Sequence, residues 1–214
     1  FVDTPVCELA LSRFPNLKCL ATPPVCFDHI AVEAAKARGI AVVRVPHYGT
    51  RTVAEYAFAL MFDLSRNAYR SYVDMQKNSG LSKLESYEGF DLGGKTLGVI
   101  GTGFIGRSVC QIAHGIGMNV VAFDVAPDES FAQSLGFTYA PLFKVAAASD
   151  IVTVHVPLMD ATHHLINAAF LEAMKDGSYL INTARGEVVD TQALIAALQS
   201  GHLAGAGLDV LEGE

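Results

Sequence analysis

The apolar and polar positions along the chain alternate between two periods. Short apolar runs bounded by Gly, Pro or Asp predict buried strands, and apolar residues that recur every three or four positions predict amphipathic helices. The predicted strands are AVVRVP, TLGVIG, NVVAFD, IVTVHV, SYLINTA and LAGAGLDV. The predicted helices are DHIAVEAAKARGI, closed by Gly39, a long helix from Val53, a helix from about Ile105 to Ile116, and TQALIAAL, whose start is marked by Asp190.

Strands that alternate with helices are typical of a parallel sheet covered by helices on both faces. We therefore predict an α/β fold with a doubly wound parallel sheet. The last residues of SYLINTA place that strand's end at Ala184, and Arg185 follows at once. A permanently charged side chain at the tip of a buried strand calls for either a structural ion pair or a ligand.

Composition narrows the classes of function. The chain has 214 residues, of which 51% are hydrophobic and 17% charged, with a formal net charge of -7. This balance argues against a nucleic-acid partner, which needs clustered Lys and Arg. Apolar runs stay well below the roughly 20 residues that span a bilayer. The four cysteines (Cys7, Cys19, Cys26 and Cys110) form no CxxC pair, so we expect reduced thiols in a cytoplasmic protein and no metal site.

The segment GTGFIG, residues 101–106, is the most specific chemical signal. It follows an apolar strand, opens a helix, and precedes a second strand that ends in Asp124, 18 residues beyond Gly106. In this context Gly101 permits a tight turn, Gly103 lets a pyrophosphate approach the backbone, and Gly106 lets the helix pack on the strand. Asp124 accepts from ribose hydroxyls and repels a 2′-phosphate, which favours NAD over NADP. The alternative is a structural Gly-rich turn beside a surface Asp.

Three polar residues lie at or just beyond the carboxyl ends of predicted strands and should converge at one edge of the sheet. In an open parallel sheet the ligand lies beyond the carboxyl ends of the strands, and Arg185, His155 and Asp209 fall there. The planar donor fork of an arginine suits a carboxylate or a polarised carbonyl oxygen. A structural ion pair is the alternative for Arg185.

Several motifs, in this order and at these separations, resemble one family. They are GKTLGVIGTGFIG, VVAFD, DIVTVHVPL, LINTARGEVVDTQALIAAL and GHLAGAGLDVLEGE, with FDHIAVEAAKARGIAVVRVPHYGTRTVAEYAFALM before them. The chain is similar to the D-isomer-specific 2-hydroxyacid dehydrogenases. The resemblance implies a Rossmann NAD-binding domain over residues 47–214 and, over residues 1–46, the remnant of a flavodoxin-like substrate domain. It also implies hydride transfer between NAD(H) and a small D-2-hydroxy or 2-keto acid, in a homodimer that pairs through the helix near Val53 and the loop after Arg66.

The resemblance also assigns roles to residues. Arg185 matches the arginine that binds and polarises the substrate, and Glu214 matches the glutamate that pairs with a catalytic histidine. Asp209 matches the aspartate that holds the nicotinamide carboxamide, and Tyr48 is a candidate substrate contact. Segments expected to line the cofactor contain Val53, Phe104, Ile105, His155, Val156, Pro157, Thr162, Thr183 and Ala184.

Some features depart from the family pattern. The catalytic histidine should follow Glu214, and neither His47 nor His155 matches it, so we expect little turnover from this polypeptide alone and read it as an internal fragment. Cys26, after two prolines, replaces a glycine of a substrate loop, and Phe104 replaces an arginine. Two other functions stay open: a non-catalytic NAD-sensing, corepressor-like module, and a formate or phosphite dehydrogenase on the same scaffold.

Overall fold

A computed structural model describes residues 6–22, 29–45, 47–78 and 87–213. The chain divides into two compact units, of which the first ends at Thr50 and the second begins at Arg51. The domain border predicted after residue 46 stays a prediction. The expectations for Pro46, for Cys26 and its prolines, and for Glu214 lie outside the described residues.

The first unit contains a small parallel sheet. A parallel bridge between Val6 and Ile30 lies in the same unit. The apolar cluster of this unit contains the buried residues Leu11, Ala35 and Ile40. Its elements are α1 (Glu8–Ser12), β1 (Cys19–Thr22), α2 (Val32–Ala37) and β2 (Ala41–Arg44), with β1 paired to β2.

The second unit is built on a six-stranded sheet whose strand pairs are all parallel. The spatial order is β5-β4-β3-β6-β7-β8. This order reverses between β3 and β6, as in a Rossmann fold, and it confirms the predicted doubly wound sheet. The strands are β3 (Thr96–Ile100), β4 (Asn119–Phe123), β5 (Thr138–Tyr139), β6 (Ile151–Val154), β7 (Ser178–Asn182) and β8 (Leu203–Leu208).

Helices cover both faces of this sheet, each over its own apolar core. One core joins α3, α5 and α6 to the sheet, and the other joins α7, α8 and α9 to it. Burial of both faces explains why the strands read as continuous apolar runs. The helices are α3 (Thr50–Arg66), α4 (Ala68–Asn78), α5 (Phe104–Ile116), α6 (Glu129–Leu135), α7 (Leu142–Ala148), α8 (Ala168–Ala173) and α9 (Thr191–Gln199).

Close packing of α3 on β8 depends on a glycine. A Cβ added to Gly207 would lie 2.9 Å from Leu60 Cβ and 3.0 Å from Ile181 Cδ1, closer than side chains tolerate in a packed core. The start of α9 agrees with the predicted cap, because the Asp190 carboxylate accepts a hydrogen bond from the Ala193 N–H. Among the described helices, none combines the length and apolar character that crossing a membrane requires.

Several strands end one or two residues before the predicted end, and two of these differences bear on the site. Strand β7 ends at Asn182 and not at Ala184, because the Asn182 side chain accepts from the Ala184 N–H and donates to the Arg185 carbonyl, which turns the chain out of the sheet. Strand β6 ends at Val154, so His155 lies just beyond the strand and not within it. The predicted long helix begins three positions earlier than Val53, at Thr50.

Candidate functional site

The Gly-rich turn after β3 requires glycine at two positions for backbone reasons. Gly101 has a φ of +91°, and a Cβ there would lie 2.8 Å from the His155 carbonyl oxygen. A Cβ on Gly106 would run into the carbonyl oxygen of Gly101. The turn and the first turn of α5 therefore pack backbone against backbone.

Gly103 differs from these two glycines because the space beside its Cα is open. It is the N-cap of α5 with a φ of -66°, and beyond its chain neighbours and the helix backbone no described residue comes within 4 Å of a Cβ added there. The first N–H groups of a helix lack partners inside the helix, and their dipoles favour an anion. The open space at Gly103 therefore suits a negatively charged group that approaches the backbone.

Asp124 follows β4 and is held at both carboxylate oxygens. Oδ2 accepts hydrogen bonds from the Thr102 N–H at 2.6 Å and the Thr102 hydroxyl at 2.9 Å, and Oδ1 accepts from the Ala126 N–H at 2.9 Å. Partial burial raises the pKa of Asp124, but the bonds from Ala126 and Thr102 lower it by more, so the net pKa lies below its ordinary value. The carboxylate is therefore ionised and fixed.

Two further side chains complete what we name the Asp124 cluster, formed by Asp124, Thr102, Tyr139 and Arg107. The Tyr139 hydroxyl lies 2.9 Å from Thr102 Oγ1. Arg107 donates from Nε to the Thr102 carbonyl at 3.2 Å and from its terminal nitrogen to Asp128 at 2.8 Å. The cluster connects the Gly-rich turn to β4 and β5.

On the other side of β3, the ends of β6 and β7 form what we name the Arg185 cluster: His155, Thr183, Ala184 and Arg185. Arg185 is half-buried, and one of its terminal nitrogens donates to the Ala184 carbonyl at 2.8 Å. Gly186 lies against the backbone of Leu211 and Glu212, too close for any Cβ. That contact brings the segment after β8 next to the arginine.

Two buried polar atoms of the Arg185 cluster make no hydrogen bond within the part of the chain that the structure describes: His155 Nδ1 and Thr183 Oγ1. His155 Nε2 lies 2.9 Å from Thr153 Oγ1. Burial lowers the pKa of His155 to about 3, so the ring is neutral near pH 7. Because buried polar groups are normally bonded, these two atoms mark a place where a water molecule or a polar ligand can complete their hydrogen bonds.

The remaining candidates of the second unit lie around these clusters. Val53 and Asp209 line one open hollow of about 420 Å³, together with Tyr56. The Thr162 hydroxyl donates to the Pro157 carbonyl at 2.6 Å and accepts from Met159 N–H at 2.8 Å, so it closes its own loop. Of the other predicted cofactor-lining side chains, Phe104 and Pro157 are exposed, whereas Ile105 and Val156 are half-buried. Tyr48 is exposed in the first unit.

A group of three possible metal ligands lies on the loops beside the Arg185 cluster. His163, His164 and Glu212 have ligand atoms within 4.8 Å of one another. The two rings stack with their centroids 4.1 Å apart, and His164 Nε2 bonds to Glu212 at 2.8 Å. His164 has a φ of +49°. This pair joins the loop after β6 to the segment after β8.

Comparison with known proteins assigns the chain to a family. Residues 58–214 match the sequence model of the D-isomer specific 2-hydroxyacid dehydrogenase NAD binding domain. The chain belongs to the D-isomer specific 2-hydroxyacid dehydrogenase family. The predicted family and the predicted NAD cofactor are thereby confirmed.

Named relatives within this family agree in sequence and in structure. A glyoxylate reductase of Korarchaeum cryptofilum is 40% identical over 217 residues, 100% of this chain and 64% of that protein. The D-lactate dehydrogenase of Escherichia coli is 40% identical over 199 residues, 93% of this chain and 60% of that protein. D-lactate dehydrogenase from Aquifex aeolicus, solved with NAD and lactic acid, superimposes with a TM-score of 0.90 at 41% identity, covering 100% of this chain and 63% of that one. The chain thus spans 60 to 64% of these relatives' lengths.

The structure of this family member fits the NAD that its sequence predicts. Gly103 leaves open space at a helix N-terminus, and Asp124 presents a fixed carboxylate at the end of the neighbouring strand. The Arg185 cluster contains buried polar atoms without hydrogen-bond partners among the described residues. Sequence reasoning missed Thr102, Tyr139 and Asn182. For Thr102 and Asn182 the local signal was a polar residue inside an otherwise apolar or glycine-rich motif. For Tyr139 the sequence offers no such signal.

Proposed function

We propose that the protein to which this chain belongs transfers a hydride between NAD(H) and a small D-2-hydroxy acid or 2-keto acid. The observation that carries the proposal is the shared edge of one sheet. The strand ends of β3, β4, β6, β7 and β8 present, in turn, the Gly-rich turn, Asp124, His155, Thr183 with Arg185, and Asp209. Ligands of doubly wound folds bind at that edge.

The roles of the residues follow from their chemistry. The backbone at Gly103 receives the pyrophosphate, the Asp124 carboxylate accepts from the adenosine ribose, and Asp209 with Val53 holds the nicotinamide in the hollow that both residues line. NAD, when bound, supplies or accepts the hydride. The chain contributes orientation and the exclusion of water.

Arg185 is the proposed substrate anchor. Its planar fork suits a carboxylate and the adjoining keto oxygen, and partial burial strengthens both contacts. His155 does not serve as the proton donor in this proposal, because its low pKa keeps the ring neutral. We keep Glu214 as the proposed partner of the catalytic histidine and Tyr48 as a proposed substrate contact.

The names of the relatives support this function over a non-catalytic module and over formate or phosphite oxidation. They are a glyoxylate reductase, D-lactate dehydrogenases and a glycerate dehydrogenase, whose substrates are all small 2-keto or 2-hydroxy acids. Glyoxylate and pyruvate are therefore the first substrates to test.

The test follows NADH oxidation by the product of the complete reading frame with glyoxylate and with pyruvate. Arg185→Lys should lower kcat/KM by about a hundredfold or more, because an ammonium cannot reproduce a bidentate fork aimed at the reacting oxygen. Arg66→Lys is the matched control, since Arg66 pairs with Asp91 on the exposed surface, and it should leave kcat/KM unchanged. A near-normal Arg185→Lys enzyme would reduce Arg185 to a structural residue.

We also propose that two copies of the chain pair through α3 and α4. Five large apolar side chains are exposed on these two helices, more than isolated surface residues usually account for. They are Tyr56, Phe62, Tyr69, Tyr72 and Met75. In a symmetric dimer the same face of both copies would be buried, and light scattering is expected to give the mass of two chains.

Exposed Cys7 and Cys19, both unbridged, support the proposed cytoplasmic location.

A further inference from the structure

We infer that Thr102 and Tyr139 are positioning residues that hold the Asp124 carboxylate in one orientation, and so make the site select a dinucleotide with a free ribose 2′-hydroxyl over one with a 2′-phosphate. The inference rests on the proposed function, in which Asp124 receives that ribose. Selectivity for NAD over NADP then depends on three hydrogen-bonded side chains, those of Tyr139, Thr102 and Asp124, and not on the Asp124 carboxylate alone.

The direction of the hydrogen bonds is fixed by proton counting. An ionised carboxylate only accepts, so the Thr102 hydroxyl must give its single proton to Asp124 Oδ2, 2.9 Å away. The contact of 2.9 Å between Thr102 Oγ1 and the Tyr139 oxygen is then made by the Tyr139 proton. Tyr139 thus donates to Thr102, which donates to Asp124, and each bond strengthens the next.

The carboxylate is oriented from both oxygens. Thr102 supplies two donors to Oδ2 and Ala126 supplies one to Oδ1. Because the donors reach both oxygens, the plane of the carboxylate is fixed. Thr102 itself is buried, with 3% of its surface exposed, and its donors are not exchanged for water.

Tyr139 is held by its neighbours through a closed path of contacts. Its ring lies edge-on to Phe137 at 5.4 Å, and Phe137 lies edge-on to Phe131 at 5.5 Å. The Arg107 guanidinium lies 4.9 Å from the centre of the Phe131 ring and donates to the Thr102 carbonyl. The path returns to Thr102, so the tyrosine hydroxyl has a fixed position relative to the hydroxyl that it serves.

Orientation decides selectivity because repulsion between like charges falls with distance. A carboxylate that stays in place meets the 2′-phosphate directly, whereas one that has lost the Thr102 hydroxyl is held only by backbone donors and can tilt away more easily. The same loss weakens the alignment that favours the ribose hydroxyl. Loss of either hydroxyl of the relay should therefore weaken NADH binding and narrow the gap to NADPH.

The test measures dissociation constants for NADH and NADPH by fluorescence titration of the 214-residue chain. Thr102→Val should lower the ratio of NADPH to NADH dissociation constants about tenfold, as expected for a lost hydrogen bond to a charged group. Tyr139→Phe should lower it by a smaller, about threefold, factor. Thr102→Ser keeps the hydroxyl and should retain the wild-type ratio. Tyr179→Phe, a partly buried ring in the same sheet, is the matched control.

The outcomes separate this inference from the role of Asp124 itself. If Asp124→Ala collapses the ratio while Thr102→Val and Tyr139→Phe leave it unchanged, the relay is wrong and the proposed function stands. If Asp124→Ala also leaves the ratio unchanged, or the wild type binds neither dinucleotide, both fail together. Should Thr102→Val not fold, Tyr139→Phe and its comparison with Tyr179→Phe decide. A loss of melting temperature without a change of ratio would mark a structural role alone and overturn the inference.

Discussion

The Asp124 cluster and the Arg185 cluster lie at the same edge of one sheet, on opposite sides of β3, but they differ in how their polar atoms are hydrogen-bonded. In the Asp124 cluster the carboxylate has three donors from the chain itself. In the Arg185 cluster His155 Nδ1 and Thr183 Oγ1 are buried, and the described residues offer them no partner. The Asp124 carboxylate is thus oriented by the chain itself, whereas the Arg185 cluster contains buried polar atoms that lack partners among the described residues.

This difference predicts that the two clusters contribute differently to stability and to ligand binding. A polar network that is satisfied internally stiffens the backbone around it, so we expect the Asp124 cluster to support folding as well as the proposed recognition of NAD. Buried atoms that lack partners cost free energy of folding and recover it only when a ligand bonds to them. Substitutions in the two clusters should therefore move stability and binding in different combinations.

The largest expected effect comes from breaking the turn on which the Asp124 cluster is built. Gly106→Ala places a Cβ against the Gly101 carbonyl oxygen, and backbone must shift to accept it. We expect the free energy of unfolding to fall by about 3 kcal/mol and NADH affinity to be lost. Chemical denaturation and a fluorescence titration measure the two quantities.

The same helix supplies the control for this prediction. Gly115 lies in α5, and outside the backbone of that helix no described residue comes within 4 Å of a Cβ added there. Gly115→Ala should raise the free energy of unfolding by about 0.5 to 1 kcal/mol, because alanine is the better helix former. If both variants behaved alike, the close approach at Gly106 would not explain the glycine.

A second prediction uses one substitution in both clusters. Thr102→Val removes a hydroxyl that Asp124 needs, and should lower the free energy of unfolding by about 1 to 3 kcal/mol. Thr183→Val removes a buried hydroxyl without a partner in the described chain. It should leave stability unchanged or raise it by about 1 kcal/mol, while weakening NADH binding.

The comparison fails if the two threonines respond with the same sign. Thermal denaturation of both variants, with and without NADH, gives the four melting temperatures that the comparison needs. Added NADH should raise the melting temperature of the Thr183→Val variant by less than it raises that of the wild type, since stabilisation by a ligand follows its affinity. An equal rise would mean that Thr183 faces no ligand.

How much of this was predictable from the sequence also differs between the clusters. The Gly-rich turn and Asp124 follow from local pattern and spacing, because each residue is defined by the strand just before it. Tyr139 reaches Thr102 across 37 positions, and no local pattern reports a contact between two strands. Asn182 looked like part of an apolar strand, although its side chain ends that strand. Sequence periodicity reports burial and not the hydrogen-bond partner of a buried polar atom.

The helices and strands likewise differ in how well the sequence predicts them. Long periodic helices such as α3 and α5 and the strands β2, β3, β4, β6, β7 and β8 were predicted to within a few residues, whereas β1 and β5 were not predicted. The short helices α6, α7 and α8 were not predicted, because six or seven residues give less than two turns of pattern. Their positions are set by packing on the sheet, which tertiary contacts determine and local propensity does not.

The smallest expected effect concerns an ion pair at the edge of the Asp124 cluster. Asp128 caps α6 through the Phe131 N–H, accepts from the Ser130 hydroxyl, and lies 2.8 Å from the Arg107 guanidinium. The hydrogen bond from Ser130, then those from Phe131 and Arg107, lower the pKa of Asp128 to about 2 from an ordinary 3.8. Because the folded pKa lies below the unfolded one, the stabilisation is complete above about pH 5 and is lost as the pH falls towards 2.

Asp128→Asn isolates the charge from the cap, since asparagine caps helices as well as aspartate does. The melting temperature of the wild type should exceed that of the variant by a small, constant margin from pH 7 to about pH 5, and the margin should vanish as the pH approaches 2. NADH affinity near pH 7 should change less than in Thr102→Val, because Arg107 keeps its bond to the Thr102 carbonyl. A margin that stayed constant down to pH 2 would mean that the ionised carboxylate contributes nothing beyond its role as a cap, and that the Asp124 cluster ends at Arg107.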